Sequence, residues 1–314
     1  MAGLDRILFF GTPEFAVPTL AALVAAGKAP VRIVSQPARP AGRGRQTLDP
    51  PVASWARAQG LEVTQPERVR HPDFLAQAAA FAPDLAVVVA FGQIFPRELL
   101  DLPAHGCINL HASLLPRWRG ASPIQAAIAA GDPRTGLTTM LMEEGLDSGP
   151  ILLQEETEIG PGETAGELSH RLAEMGGGLM VRTLEGLERG GLAPRPQPKE
   201  GVTYAPRLTR DSGRIDWTLE AGEIHNRLRA YTPWPGLTAQ LRGEPVKILA
   251  AEPQAGDSEG AVPGAVLGLR VGRLAVACGG GVLALGELQR PGKRSLPAAD
   301  FVNGERLRAG EVFS

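Results

Sequence analysis

An α/β fold with a mainly parallel sheet, followed by a smaller β-barrel, is what this sequence predicts. Three observations carry that expectation. The first two-thirds of the chain alternates short apolar runs with helix-period patterns. A stretch rich in proline and glycine follows at residues 190–207. Beyond it, short β-type runs recur between Gly-rich turns.

Taken in order, Arg6–Phe10 reads as the first strand. Gly11-Thr12-Pro13 turns the chain, with Pro13 suited to a first helical position and Glu14 to a first turn. The helix is expected to run to about Ala26 and to stop at Gly27. Val31–Ser35 is a second strand, and Asp84–Ala90 (DLAVVVA) a third, apolar on both faces as a buried parallel strand must be. Cys107–Leu110 and Thr138–Met142 supply two more, and residues 163–189 are expected to be helical, weakened or bent by the glycines at 176–178. Gly190-Gly191 and the prolines at 194, 196, 198 and 206 mark an extended linker ending at Arg207. After it come a short helical pattern at Ala221–Ala230 and β-type runs at Val246–Ala251, Val262–Leu267, Arg273–Ala277 and Val282–Leu288. The expected division is a first domain over 1–189, a linker over 190–207 and a second domain over 208–314.

Composition sets the class. With 314 residues, 43% of them hydrophobic, the chain can bury a full core. The net charge of −2 excludes a uniformly basic nucleic-acid binder but leaves room for a local basic patch. Two cysteines, Cys107 and Cys278, make neither a disulfide framework nor a metal knuckle, which suits a reducing compartment. The opening MAGLDRILFFGTP lacks the features of a secretory signal, and no apolar run approaches the roughly 18 residues of a membrane span. A cytoplasmic, soluble protein is expected.

Chemistry concentrates between Cys107 and Gln154. Asn109 and His111 stand two apart, hence on one side of a strand, where an open α/β sheet places its ligands at the carboxyl end. Asp147 lies between glycines (GLDSG) at the end of a second apolar run, and a loop of that composition can drive a carboxylate into a pocket. An amide, an imidazole and a carboxylate at strand ends suit acyl or formyl transfer, without a metal or a covalent nucleophile. Cys107, two residues before Asn109, is the alternative nucleophile. The GTPEF turn has one glycine where a dinucleotide fingerprint needs three, and no Walker pattern occurs. The basic segment 36–49 carries Arg39, Arg43 and Arg45 with no acid before Asp49. It reads either as a solvated loop or as an arm that contacts phosphate.

These motifs together resemble the methionyl-tRNA formyltransferases. The resemblance rests on FFGTPEFAVPTLAAL, SQPARPAGRGRQ, NLHASLLPRWRGASPIQAAI and GLDSGPIL, with weaker support from YAPRLTRDSGRIDW and PWPG. It implies a Rossmann-like sheet of the formyltransferase type and an OB-like C-terminal barrel that binds tRNA. It implies transfer of the formyl group of 10-formyltetrahydrofolate, as co-substrate, to the α-amino group of methionyl initiator tRNA, by a monomer without metal or nucleotide cofactor. Asn109, His111 and Asp147 carry over as the catalytic trio. Ser113, Leu114, Leu115 and Pro116 carry over as the folate-contacting segment, and Arg39, Arg43, Arg45 and Arg207 as tRNA contacts. Ala38, Arg45, Phe91 and Arg207 depart from the residues usual in the family, and the Lys-to-Arg exchanges alter hydrogen-bond geometry at equal charge.

An amine attacking a formyl carbon passes through a tetrahedral oxyanion. On this reading Asn109 and a charged His111 donate to that oxygen, Asp147 orients His111, and His111 or Asp147 removes the proton. Three other functions share parts of the pattern: formyl transfer to a small amine such as a nucleotide or amino sugar, non-catalytic tRNA binding, and folate-dependent hydrolysis. Residues 210–314 hold 13 Lys/Arg against 12 Asp/Glu, so charge alone does not mark that region as RNA-binding.

Overall fold

The computed structural model describes residues 4–41, 46–256, 258 and 260–314. Two compact units emerge: Met1–Pro123 with Arg134–Glu158 and Ser169–Tyr204, and Ile124–Pro133 with Ile159–Leu168 and Ala205–Ser314. Residues 190–204, expected as part of a linker, thus belong to the first unit. Among the described residues no helix is long and apolar enough to cross a membrane.

The first unit contains β1 (Ile7–Gly11), α1 (Val17–Ala25), β2 (Arg32–Val34), β3 (Arg39–Ala41), β4 (Gln46–Leu48), α2 (Pro51–Ala58) and β5 (Val63–Thr64). It continues with α3 (Pro72–Ala80), β6 (Leu85–Val89), α4 (Arg97–Leu100), β7 (Cys107–His111) and β8 (Arg119–Gly120). After α5 (Pro123–Ala129), which apart from Pro123 falls in the second unit, come β9 (Arg134–Leu141), β10 (Ile151–Glu158) and α6 (Ala165–Glu188), whose first four residues also fall in the second unit. Seven strands form one sheet in the order β10-β9-β7-β6-β1-β2-β5. The neighbours from β7 to β5 pair in parallel, while β9 pairs antiparallel with both β7 and β10. β1 and β6 are buried at every position, as their apolar sequences require. β10 escapes that pattern. Its first two residues are buried and the rest alternate toward solvent, because it is an edge strand.

The chain order turns back between β1 and β6, so their carboxyl ends open a crevice at the switch point. The Thr12 hydroxyl donates to the Phe91 carbonyl (3.0 Å) across that point, and the Gln36 amide, from the end of β2, donates to the same carbonyl (2.8 Å). Pro13 caps a short 3-10 turn over Glu14–Ala16 and α1 begins only at Val17, later than the sequence suggests.

The glycines of α6 do not break it. The helix runs unbroken for 24 residues. A Cβ on Gly176 would lie 2.6 Å from the Leu110 side chain, and one on Gly177 would lie 2.9 Å from Ala22 Cβ and 3.0 Å from the Pro18 carbonyl. These residues let α6 seat directly on α1 and on β7. Their lower helix propensity, of order 1 kcal/mol each, is offset by that close packing.

The second unit holds α7 (Ala221–Ala230) and a β-sheet with strands Leu237–Leu241, Glu244–Gln254, Val282–Gln289, Arg273–Ala277 and Val266–Arg270 adjacent in that order, all antiparallel. The last residues join its two edges: Leu241 bridges Phe313 and Ala265 bridges Val312. The sheet is closed, around a core that includes Trp217, Ile224, Leu285, Phe301 and Phe313. The strand expected at 262–267 begins instead at Val266, because Gly264 takes a φ of +88° and a Cβ there would meet the Phe313 carbonyl at 2.1 Å.

Candidate active site

β7 places Asn109 and His111 at its carboxyl end. Asn109 pairs with Val88 on one side and Met140 on the other, and His111 pairs with Thr138. Both side chains point the same way. Asn109 is half-buried, and His111 is buried.

His111 Nε2 lies 2.9 Å from the Trp118 carbonyl. A carbonyl only accepts, so Nε2 carries the hydrogen. Nδ1 then faces Asp147, whose Oδ2 stands 3.7 Å away, within ion-pair range but beyond a hydrogen bond. The fixed orientation of the ring therefore comes from the Trp118 carbonyl, and Asp147 supplies a charge beside Nδ1. Asp147 Oδ2 is itself held by the Gly120 backbone N–H (2.8 Å).

Asp147 sits in the left-handed region, with φ of +46°. Neither flanking glycine, Gly145 nor Gly149, has positive φ. Gly149 is needed for close approach. A Cβ there would fall 1.8 Å from the Leu141 carbonyl oxygen, so only glycine lets the loop lie against β9.

The segment 113–116 is a tight, internally bonded turn with a cis Leu115-Pro116 peptide. The fully buried Ser113 hydroxyl donates to the Arg117 carbonyl (2.5 Å). Thr138 ties the turn to β9: its hydroxyl donates to the Ser113 carbonyl (2.7 Å) and accepts from the Leu115 N–H (3.1 Å). Gln154 donates to the Leu115 carbonyl (3.0 Å). Leu115 packs with Met140 and Ile151. Leu114 and Pro116 are the half-buried members of the four, so Ser113 and Leu115 support the turn from within.

Several partners of the site carry no clear signal in the sequence. The strap at 195–203 contributes two side chains. Thr203 accepts from the Trp118 N–H (2.9 Å), and Gln197 binds both Arg119 and the 147–149 loop. Gln197 stands between Pro196 and Pro198, and that pattern is the one local signal of a fixed, extended backbone.

Cys107 is not a nucleophile in waiting. Burial, with a contribution from the Asp101 charge, pushes its thiol up to about 12, and Cys278 is pushed up to about 11 by burial. Reactivity follows the thiolate. Iodoacetamide at pH 8 is therefore expected to leave both thiols of the native chain unmodified and its activity intact, with both alkylated after unfolding in guanidinium; mass spectrometry reads the difference. Because both values lie above the ordinary thiol value of 9.0, the protonated forms favour the fold, and that contribution fades as pH rises past 9 toward 11–12.

Arg39, in the basic segment, is exposed and donates to Gln36 (3.1 Å). Arg43 and Arg45 lie outside the described residues. Arg207 is exposed in the second unit.

Comparison with known proteins places this architecture. The family model described as formyl transferase matches residues 5–184, and the one described as formyl transferase, C-terminal domain, matches 207–306. A methionyl-tRNA formyltransferase of Gluconobacter oxydans is 49% identical over 97% of this chain and 98% of its own length. That of Halorhodospira halophila is 50% identical over 98% of each. Among solved structures, a sugar 3N-formyl transferase, WlaRD, has a TM-score of 0.66 at 16% identity over 93% of this chain and all of its own. HypX from Aquifex aeolicus, in complex with tetrahydrofolic acid, has a TM-score of 0.63 at 19% identity, covering 98% of this chain and 49% of that longer one. At such identities the structures speak for the fold alone, whereas the sequence relatives align along both domains. The chain belongs to the methionyl-tRNA formyltransferase family.

Proposed function

We propose that this chain transfers the formyl group of 10-formyltetrahydrofolate to the α-amino group of methionyl initiator tRNA, the step that prepares it for translation initiation. Relatives of that name, 49–50% identical over nearly the whole chain, support the reaction. The observation that carries the assignment of its machinery is the end of β7, where Asn109 and His111 share a face and Asp147 lies 3.7 Å from His111 Nδ1.

Each residue has a distinct part. The Asn109 carboxamide donates to the oxygen of the formyl group as it gains negative charge. Free α-amino groups titrate near about 7.7–8.0, so a useful fraction of the acceptor is already neutral and nucleophilic at cellular pH. With Nε2–H committed to the Trp118 carbonyl, a neutral His111 presents the Nδ1 lone pair, and that atom takes the proton from the attacking amine. The resulting imidazolium faces the Asp147 carboxylate, which offsets the charge; as the intermediate collapses, the bond from the formyl carbon to N10 breaks and the imidazolium returns its proton to N10 of the departing tetrahydrofolate.

The folate donor fits the surroundings. Ile94 and Leu146, on loops that follow β6 and β9, leave large apolar side chains 93% and 62% exposed, which a folate ring would cover. Half-buried Leu114 and Pro116 add to the surface on which the donor would rest. The tRNA contacts fall to Arg39, Arg43, Arg45 and Arg207, with the closed β-sheet domain as the RNA-binding unit. The reading is of a monomer that works in the cytoplasm.

Formylation assays decide between acceptors. Charged initiator tRNA is expected to be formylated, and a panel of amino sugars and aminonucleotides to be left unchanged. Preference for a small amine, or formate release without any amine, contradicts the proposal. For the basic segment, Arg43→Ala is expected to weaken tRNA binding and to flatten the slope of log Kd against log salt by about 0.7–0.9, one phosphate contact, with kcat at saturation retained. Filter binding across a salt series measures it.

A further inference from the structure

We infer that Gln197 is a positioning residue for formyl transfer, holding the Asp147 loop in register with His111; the inference rests on the trio proposed above. The strap from Ala193 to Glu200 is exposed at every position except Gln197, whose side chain turns inward and is half-buried. The prolines on either side favour an extended backbone there, and Arg195 pairs in both directions with Ile151 (2.7 and 2.8 Å), which fixes the register of the strap.

All the hydrogen-bonding capacity of the Gln197 amide is used. Its Nε2 donates to the carbonyls of Asp147 and Gly149, each at 2.8 Å, on the two sides of Ser148. Its Oε1 accepts from Arg119 Nε (3.1 Å) and Nη2 (2.7 Å). Arg119 belongs to the segment whose other groups touch the trio: the Trp118 carbonyl binds His111 Nε2, and the Gly120 N–H binds Asp147 Oδ2. Gln197 thus joins the segment that orients the imidazole to the loop that carries the carboxylate.

Asp147 needs such support, because its φ of +46° is costly for a residue with a Cβ. One side chain must present two donors to the loop and an acceptor to a guanidinium. Glutamine does both, whereas glutamate would set a carboxylate against two carbonyl oxygens and methionine would fill the space with no donor at all.

The test is a double-mutant cycle on the full chain, read at saturating 10-formyltetrahydrofolate and initiator methionyl-tRNA. Gln197→Met is expected to lower kcat on the order of 10–100-fold, the scale of a misplaced catalytic group, with KM for both substrates within about threefold of the parent. Gln197→Glu, which keeps the Arg119 contact, is expected to fall at least as far. In an Asp147→Ala background the same Gln197→Met change is expected to cost less than about twofold, since the loop no longer carries a carboxylate to place. A Gln197→Met or Gln197→Glu enzyme as active as the parent, beside a crippled Asp147→Ala enzyme, overturns the inference and leaves the trio standing. An equal loss from Gln197→Met in both backgrounds also overturns it. An Asp147→Ala enzyme of parental activity overturns the trio itself.

Discussion

His111→Ala is expected to lower kcat by about 10²–10⁴-fold, the range for loss of a positioned general base, and Asn109→Ala by about 10²–10³-fold, the range for loss of one oxyanion donor. In both, KM for the folate and for the tRNA is expected to stay near that of the parent, because the interactions removed are realised in the transition state. Steady-state assays with both substrates varied check this. The alanine at 111 carries a second consequence, since it strips the Trp118 carbonyl of its donor. Loss of a typical hydrogen bond costs about 0.5–1.5 kcal/mol, so this variant is also expected to melt earlier. His111→Gln separates the two effects. Its amide nitrogen reaches the Nε2 position and restores a donor to Trp118, but it offers no base at Nδ1. Stability is expected to return while kcat stays as low as in the alanine variant.

Gly149→Ala is the second large effect, and it acts without touching a catalytic group. The added methyl would sit 1.8 Å from the Leu141 carbonyl oxygen and 3.0 Å from its carbon, both backbone atoms of β9. Side chains can swing away, but a paired strand cannot. The 142–149 loop must lift instead, breaking the bond from the Leu141 N–H to the Pro150 carbonyl (3.0 Å) and displacing the Gly149 carbonyl from Gln197. Overpacking of this kind costs about 1–3 kcal/mol or more. Asp147 moves with the loop, so kcat is expected to drop by about 10²-fold, as for a displacement of about 1 Å. Gly145→Ala is the control. Its Cβ would meet the Ser148 hydroxyl at 2.1 Å, which rotates away, and the Ser148 Cβ at 3.2 Å, which asks for a shift of a few tenths of an ångström and not for displacement of a strand. Calorimetry and turnover should rank Gly149→Ala well below Gly145→Ala in both properties.

The contrast between those two glycines explains what can be read from sequence. Strands such as Leu85–Val89 and Ile7–Gly11 announce themselves, because burial on both faces leaves only apolar residues. Asn109 and His111 were legible for a related reason: polar groups two apart at the end of an apolar strand need a purpose. The helices at Pro51–Ala58 and Pro72–Ala80 each begin on a proline, a start signal present in the sequence, with short amphipathic bodies that make it easy to overlook. β10 is hidden by its alternation of acids with half-buried residues, which reads as loop until β9 is known to lie beside it. The glycines at 149, 176 and 177 cannot be interpreted from their neighbours in sequence, since the atoms that forbid a side chain come from β9, α1 and β7. The same holds for Gln197, whose partners Arg119 and Asp147 lie 78 and 50 residues away.

In the proposed mechanism the end of β7 and the Asp147 loop act on the formyl group of the folate. A crystal structure with a stable 10-formyltetrahydrofolate analogue tests it most directly. The formyl oxygen is expected about 3 Å from Asn109 Nδ2, with the formyl carbon open to attack on the side that His111 Nδ1 faces. An analogue whose formyl group lies away from Asn109 and His111, for instance among Gln36, Arg68 and Gly92, would contradict the account.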